Sequence, residues 1–281
     1  MLYNFLGLMV FFSLLCVMVN NVVVWWSVLL LMTLIFVQLN KNLLSYSSMF
    51  NYFVFQESMG LVFLLLNVQF FQLLILLLKV GVAPLHFWLF SVTNGLYGWN
   101  LMWFLTFQKL PFMMIMVQMM LFTVMMLLVV GVLLCLLQML MMKSVKNLLI
   151  LSSTESFNWV MLSFVMSFVG VMMIFFYYFV MMLIMIVKLE NVSVLSQINW
   201  EMMLIFMNLP FTVNFYVKIF ALISVLKVMS VWVVFLLLLM FMSILSISYW
   251  MVKLSTKTNV INKNSKWNYL MFLPFMVVVM I

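Results

Sequence analysis

Three lysines stand inside long apolar runs, at positions 79, 109 and 218. An amine so placed is suited to one kind of chemistry, the uptake and release of a proton. Lys79 opens the stretch Lys79-Val80-Gly81-Val82-Ala83-Pro84-Leu85-His86-Phe87-Trp88, which adds a glycine, a proline and the only histidine of the chain. Counting from Val68, Lys79 lies about ten residues into its run, or roughly 15 Å along a helix. That depth is near the middle of a ~30 Å hydrocarbon layer and beyond the short reach of a snorkelling stem. A charge there costs about 2.5–3.5 kcal/mol on insertion scales, and such residues mark ion or proton pathways. Pro84 has no N–H for the carbonyl of Val80, so a helix broken near Pro84 is expected. Unpaired backbone at that depth persists only inside protein or beside water. A hydrated polar site is therefore expected, in preference to a lysine locked in a static pair.

The remaining ionisable groups inside apolar runs complete the candidate set. Lys109, two residues before Pro111, is a second buried amine in the first half of the chain. Two amines in one low-dielectric region repel, and a buried lysine can load and unload protons where an exposed one cannot. Glu57 is the compensating acid, either as part of the proton path or as a fixed counter-ion. Glu155, with Ser152, Ser153 and Thr154, either extends a polar file or forms a helix-packing cluster. His86, seven residues after Lys79, shares its face if the helix stays regular; it either relays protons or caps broken backbone. Glu190 and Glu201 read as interfacial. No nucleophile–base triad or metal cage can be assembled from these groups, which excludes hydrolytic chemistry.

Composition sets what must hold them. With 70% hydrophobic residues, 6% charged residues and a mean hydropathy of +1.37, the chain is far from a soluble domain, where about 25% is charged. The first apolar run, Leu2 to Val19, is long enough to span and lacks a basic leader, so no cleavable signal is expected. All twelve basic residues are lysine, while Met (34) and Phe (30) are abundant. This pattern reads as the mutational bias of an A+T-rich organellar genome, with Met and Phe as packing or lipid-facing filler. The net charge of +8 reads as interfacial lysine and not as nucleic-acid binding. Cys16 and Cys135 sit in apolar runs as small hydrophobes. Two isolated cysteines and one histidine cannot ligate an iron–sulfur cluster or a bis-histidine haem, and the seven glycines hold no phosphate loop. No cofactor is expected in this chain.

The apolar runs predict eleven helices, at about 2–19, 22–39, 49–66, 68–90, 97–118, 120–142, 147–168, 170–188, 202–226, 229–252 and 267–281. Lys41, Lys143, Lys146, Lys188, Lys253, Lys257, Lys263 and Lys266 then collect on the N-terminal side of the membrane, and Lys227 is the exception opposite. The positive-inside rule places the N-terminus in the inner compartment and the C-terminus outside. Lys79 belongs to the proline-broken fourth helix and Lys218 to the proline-broken ninth, with Pro210. Five helices separate them, so the two units enter the membrane from opposite sides, as inverted repeats do. The expected fold is an all-α membrane protein of about eleven transmembrane helices in a single membrane domain, 1–281. It divides into a first half (1–118), a second half (119–252), and a basic loop with the last helix (253–281).

The segment Lys79-Val-Gly-Val-Ala-Pro-Leu-His-Phe-Trp88 resembles the K-[LV]-G-x-A-P-x-H-F-W signature of the antiporter-like subunits of respiratory complex I, an NADH:ubiquinone oxidoreductase. Thr106-Phe107-Gln108-Lys109-Leu110-Pro111 is similar to that family's T-W-Q-K-L segment. Lys146 through Ser152-Ser153 to Trp159 resembles R-K-[IL]-L-A-Y-S-S, and Asn208-Leu209-Pro210 with Phe215 and Lys218 resembles G-L-P-P-x-x-G-F-x-x-K. The resemblance implies the eleven-helix animal form, with Lys79 and Lys109 as central lysines of a first half-channel and Lys218 as the lysine of the broken helix in the second. It implies proton translocation across the inner mitochondrial membrane, with NADH and ubiquinone used elsewhere in the complex. The implied partners are the other membrane-arm subunits and inner-membrane phospholipids, and the N-terminus would face the matrix. Two departures stand out. Where the family carries a glutamate early in the second helix, this chain reads Trp25-Trp26-Ser27-Val28-Leu29-Leu30, so Glu57 has taken over as counter-ion or the first half-channel is impaired. After Trp88, the family's V-P-E-V becomes Leu89-Phe90-Ser91-Val92. Two alternatives remain: a scaffold subunit with static lysines, and a stand-alone cation/proton antiporter.

Overall fold

The computed structural model describes residues 2–41, 46–119, 121, 123–142, 144–165, 168–190, 213–226 and 230–255, all helix or connecting turn. The helices are α1 (Leu2–Met18), α2 (Val22–Asn40), α3 (Tyr46–Leu65), α4 (Gln69–Val80), α5 (Trp88–Thr93), α6 (Gly98–Met102) and α7 (Lys109–Met119). They continue as α8 (Val124–Met141), α9 (Val145–Leu162), α10 (Phe168–Glu190), α11 (Val213–Leu226) and α12 (Ser230–Ser255). Four stretches are long and apolar enough to cross a membrane: Val22–Asn40, Gly98–Met119, Val124–Met141 and Trp232–Tyr249. The protein is an all-α membrane protein. Pro210, Glu201 and the eleventh expected helix lie outside the described residues, as do Lys143, Lys227, Lys257, Lys263 and Lys266.

Two compact units make up the chain. One comprises Met1–Leu127 with Phe179–Ile186, the other Leu128–Tyr178 with Val187–Ile281. In the first, α2 packs on α3, α3 on α4 and α5, and α7 on α1 and α4. The end of α1 is tied down by side chains from two neighbours. Trp25 Nε1 and Gln118 Nε2 donate to the Cys16 carbonyl at 3.3 and 3.1 Å. Open carbonyls at a helix end need such partners wherever water is absent. In the second unit, α11 packs against α9, the 3₁₀ turn Ser163–Val165 and α12.

The fourth expected helix is divided as anticipated, but by a different residue. It stops at Val80, four residues before Pro84, because Gly81 takes a left-handed conformation (φ 74°). Gly81 N–H donates to Leu78 O at 3.1 Å and Val82 N–H to Leu77 O at 2.9 Å, the paired bonds of a Schellman ending. A β-carbon on Gly81 would stand 2.7 Å from Leu89 Cγ. Residues 81–87 form a turn before α5. His86 therefore does not share the face of α4 with Lys79, and its expected alignment fails because the helix ends between them.

The fifth expected helix is not uniform either. A π-helical turn, Trp103–Phe107, joins α6 to α7, with Gln108 N–H donating to Trp103 O at 3.0 Å. Pro111 has no N–H for the carbonyl of Phe107, and the ladder widens in the turn just upstream.

Candidate functional site

In the first unit the site is built on the inner face of α3, whose buried residues are Tyr52, Gln56, Gly60 and Phe63. Their spacing of three to four residues places a hydroxyl, an amide and a gap in one line. Lys79 fills the gap from the last turn of α4, only 3% exposed. A β-carbon on Gly60 would stand 3.3 Å from Lys79 Nζ and 3.2 Å from Trp26 Nε1. Glycine is the residue that lets the amine and the indole of α2 meet the α3 backbone. Phe112 of α7 lies below the amine, its ring centroid 6.0 Å away.

The end of α4 suits a cation. Its last carbonyls carry the negative end of the helix dipole, and each found partner is specific. Gln56 Nε2 donates to Lys79 O at 3.0 Å, and Trp88 Nε1 donates to Leu78 O at 2.8 Å. Trp88 and Tyr52 belong to an aromatic group with Phe36 and Phe104, centroids 4.6–6.3 Å apart. This packing holds the turn after α4 against α3.

Glu57 of α3 and Lys79 do not form a contact ion pair, because no carboxylate oxygen among the described residues lies within 4.0 Å of Lys79 Nζ. Glu57 Oε1 instead meets Thr33 Oγ1 of α2 at 2.7 Å. Lys109 is 4% exposed, the first residue of α7 and one turn before Phe112, or about 4.5 Å along the axis. The preceding residue, Gln108, donates through Nε2 to the Tyr52 hydroxyl. His86 is buried in the turn, its ring stacked on Phe87 at 4.9 Å and edge-on to Phe90 at 6.0 Å.

The second unit holds a tighter arrangement. Lys218 of α11 donates through Nζ to Glu155 Oε1 of α9, and both residues are 3% exposed. Trp159, one turn after Glu155, donates its indole N–H to the same oxygen at 3.0 Å and lies with its ring centroid 5.5 Å from Lys218 Nζ. The ammonium is thus held by a carboxylate and an aromatic face together. The hydroxyls of Ser152, Ser153 and Thr154 donate to the carbonyls of Leu149, Ile150 and Leu151 at 2.7–2.8 Å. They are turned onto their own helix, as packed serines and threonines commonly are.

Sequence reasoning located the charges but missed their companions. Gly60 stands one turn after Glu57 and Trp159 one turn after Glu155, so helical spacing from each acid would have found both. Trp26 and Thr33 had no such signal, since only the pairing of α2 with α3 brings them to the site.

Amines buried in a bundle of apolar helices, one of them at the end of a divided helix, define a polytopic all-α membrane protein with ionisable groups in its interior. No family model matches the chain. It is 50% identical over 269 residues to NADH-ubiquinone oxidoreductase chain 2 of Caenorhabditis elegans, covering 95% of each protein. It is 46% identical over 278 residues to the protein of that name from Ascaris suum, covering 99% of this chain and 92% of the relative. The chain belongs to the NADH-ubiquinone oxidoreductase chain 2 family, the short animal form of a complex I membrane subunit.

Proposed function

We propose that the chain carries protons across the inner mitochondrial membrane as part of this complex. Lys79, Lys109 and Lys218 take up and release the protons, with Glu57 and Glu155 as acidic partners and His86 beside the turn. The observation that carries this reading is the burial of all three amines, each no more than 4% exposed, in predominantly apolar helices. Buried amines without a transport task are costly to retain. The energy comes from the passage of electrons from NADH to ubiquinone in other subunits. This chain contributes no redox group, since two isolated cysteines and one histidine are too few ligands. Its partners are the other membrane-arm subunits and the surrounding phospholipids, and its N-terminus faces the matrix. Residues 1–118 supply Lys79 and Lys109 to this task and residues 119–252 supply Lys218.

The test is Lys79→Met in the assembled complex, reconstituted into vesicles with NADH oxidation and proton transfer measured together. A lower proton-to-electron ratio in a normally assembled complex is expected. An unchanged ratio would show that the lysines are structural and the chain a scaffold.

A further inference from the structure

The middle of α10 carries a polar group that the site described above does not use. Residues 168–187 are apolar apart from Tyr177 and Tyr178, and Tyr177 is the tenth residue of a 23-residue helix. A hydroxyl at that depth needs an acceptor within the protein, because hydrocarbon offers none. Tyr177 finds one on a neighbouring helix, where its hydroxyl donates to Asn214 Oδ1 of α11 at 3.2 Å. Asn214 is the second residue of α11 and precedes Lys218 by four. Their side chains therefore leave the same face, about 6 Å apart along the axis. The motif that Asn208-Leu209-Pro210, Phe215 and Lys218 resemble has glycine immediately before the phenylalanine, where this chain has Asn214. Glycine has no side-chain oxygen, so the acceptor is a departure of this chain from that pattern.

Three contacts close a triangle around the buried ion pair. Lys218 with Glu155 joins α11 to α9. Tyr178 with Phe157, ring centroids 6.0 Å apart, joins α10 to α9. Tyr177 with Asn214 joins α10 to α11. The two tyrosines are consecutive and so stand about 100° apart around α10, which lets one helix reach both carriers of the pair. We propose that Tyr177 and Asn214 are positioning residues for Lys218. Their bond fixes the height and rotation of the first turn of α11, and with them the seat of the amine against Glu155 and the Trp159 ring. Lipid does not press apolar helices together as water does, so polar contacts of this kind serve as fixed points between them. The proposal rests on the proton-carrying reading given above and adds two residues to it, neither of which carries a proton itself.

The experiment is Tyr177→Phe in the assembled complex, a change that removes one oxygen and keeps the ring, with proton transfer into vesicles measured per assembled complex. An interhelical hydrogen bond of ordinary strength in a membrane shifts an equilibrium by about 3-fold. The initial rate should fall by about that factor while the amount of assembled complex stays level. Asn214→Leu should lower the rate equally, and the two changes together should lower it no further than either alone. Asn214→Gln, which keeps an acceptor oxygen, should regain part of the loss. An unchanged rate per complex in Tyr177→Phe overturns the proposal, even if less complex assembles, because the bond would then serve stability alone. A double change that multiplies the two single losses overturns it too, as does Asn214→Gln if it is no better than Asn214→Leu. Should Tyr177→Phe fail to assemble, Asn214→Gly, the residue of the motif, is read by the same criteria. Lys79→Met measured alongside separates the two levels. An unaffected Tyr177→Phe beside a lowered proton ratio in Lys79→Met overturns this proposal alone, whereas an unchanged ratio in Lys79→Met overturns the reading beneath it.

Discussion

Replacing Gly60 by alanine separates a packing role from a functional one, because the two predict different things. Gly60 lies inside α3, where glycine is about 1 kcal/mol less favourable than alanine. On helix propensity alone the substitution should stabilise the protein. The new methyl would meet Trp26 Nε1 at 3.2 Å, Lys79 Nζ at 3.3 Å and Trp26 Cδ1 at 3.6 Å. Comfortable contacts lie at roughly 3.5–4.0 Å, so one neighbour must retreat by a few tenths of an ångström. The amine ends a flexible four-carbon stem, and it will move before the indole does. Lost dispersion is small, about 0.1–0.2 kcal/mol per atom pair, so net stability should stay level or rise by up to ~1 kcal/mol. Function should not. A misplacement of about 1 Å can cost roughly 10²-fold in rate, and by the same scale a few tenths should cost about 3- to 10-fold. Thermal inactivation of the assembled complex gives the first quantity, and initial proton-transfer rates in vesicles give the second. Unchanged proton transfer in a complex as stable as the original would refute the claim that Gly60 positions Lys79.

Two further outcomes follow from the geometry. Lys218→Met leaves the Glu155 carboxylate buried without its cation, which should cost about 3–5 kcal/mol. The double change Lys218→Met with Glu155→Gln should recover most of that loss, and a denaturation cycle over the four proteins would read the coupling directly. Gly81→Ala places a β-carbon at positive φ, at about 1–2 kcal/mol, and against Leu89. It should lower the thermal midpoint and the yield of assembled complex, whereas Leu89→Ala added to it should restore part of both.

Much of this arrangement was legible in the sequence, for reasons that differ from place to place. The helices follow from apolar runs bounded by Asn20-Asn21, Asn40-Lys41 and similar breaks, because a membrane leaves a chain few other ways to satisfy its backbone. The three lysines, Glu57 and Glu155 were visible because an ionisable group in an apolar run is rare. The pairing of Lys218 with Glu155 was not, since the two are far apart in sequence and only the packing of α11 on α9 joins them. The division after Val80 was anticipated at the wrong residue, for the proline is conspicuous while Gly81 acts through a backbone angle that no side chain announces. The π turn before Lys109 left no trace in hydropathy, because widening one turn changes hydrogen bonding and not composition.

That turn carries a consequence of its own. A regular α-helix advances about 100° per residue, and a π turn accommodates one residue more than an α-helical turn would. Everything from Lys109 onward is therefore rotated by about 100° from the azimuth a uniform helix would give it. Lys109 and Phe112 look inward on account of a single surplus residue. Because the π turn takes up that surplus residue locally, a one-residue deletion within 103–107 should leave a regular α-helix with Lys109 and Phe112 still facing inward, whereas a deletion outside it should turn them away.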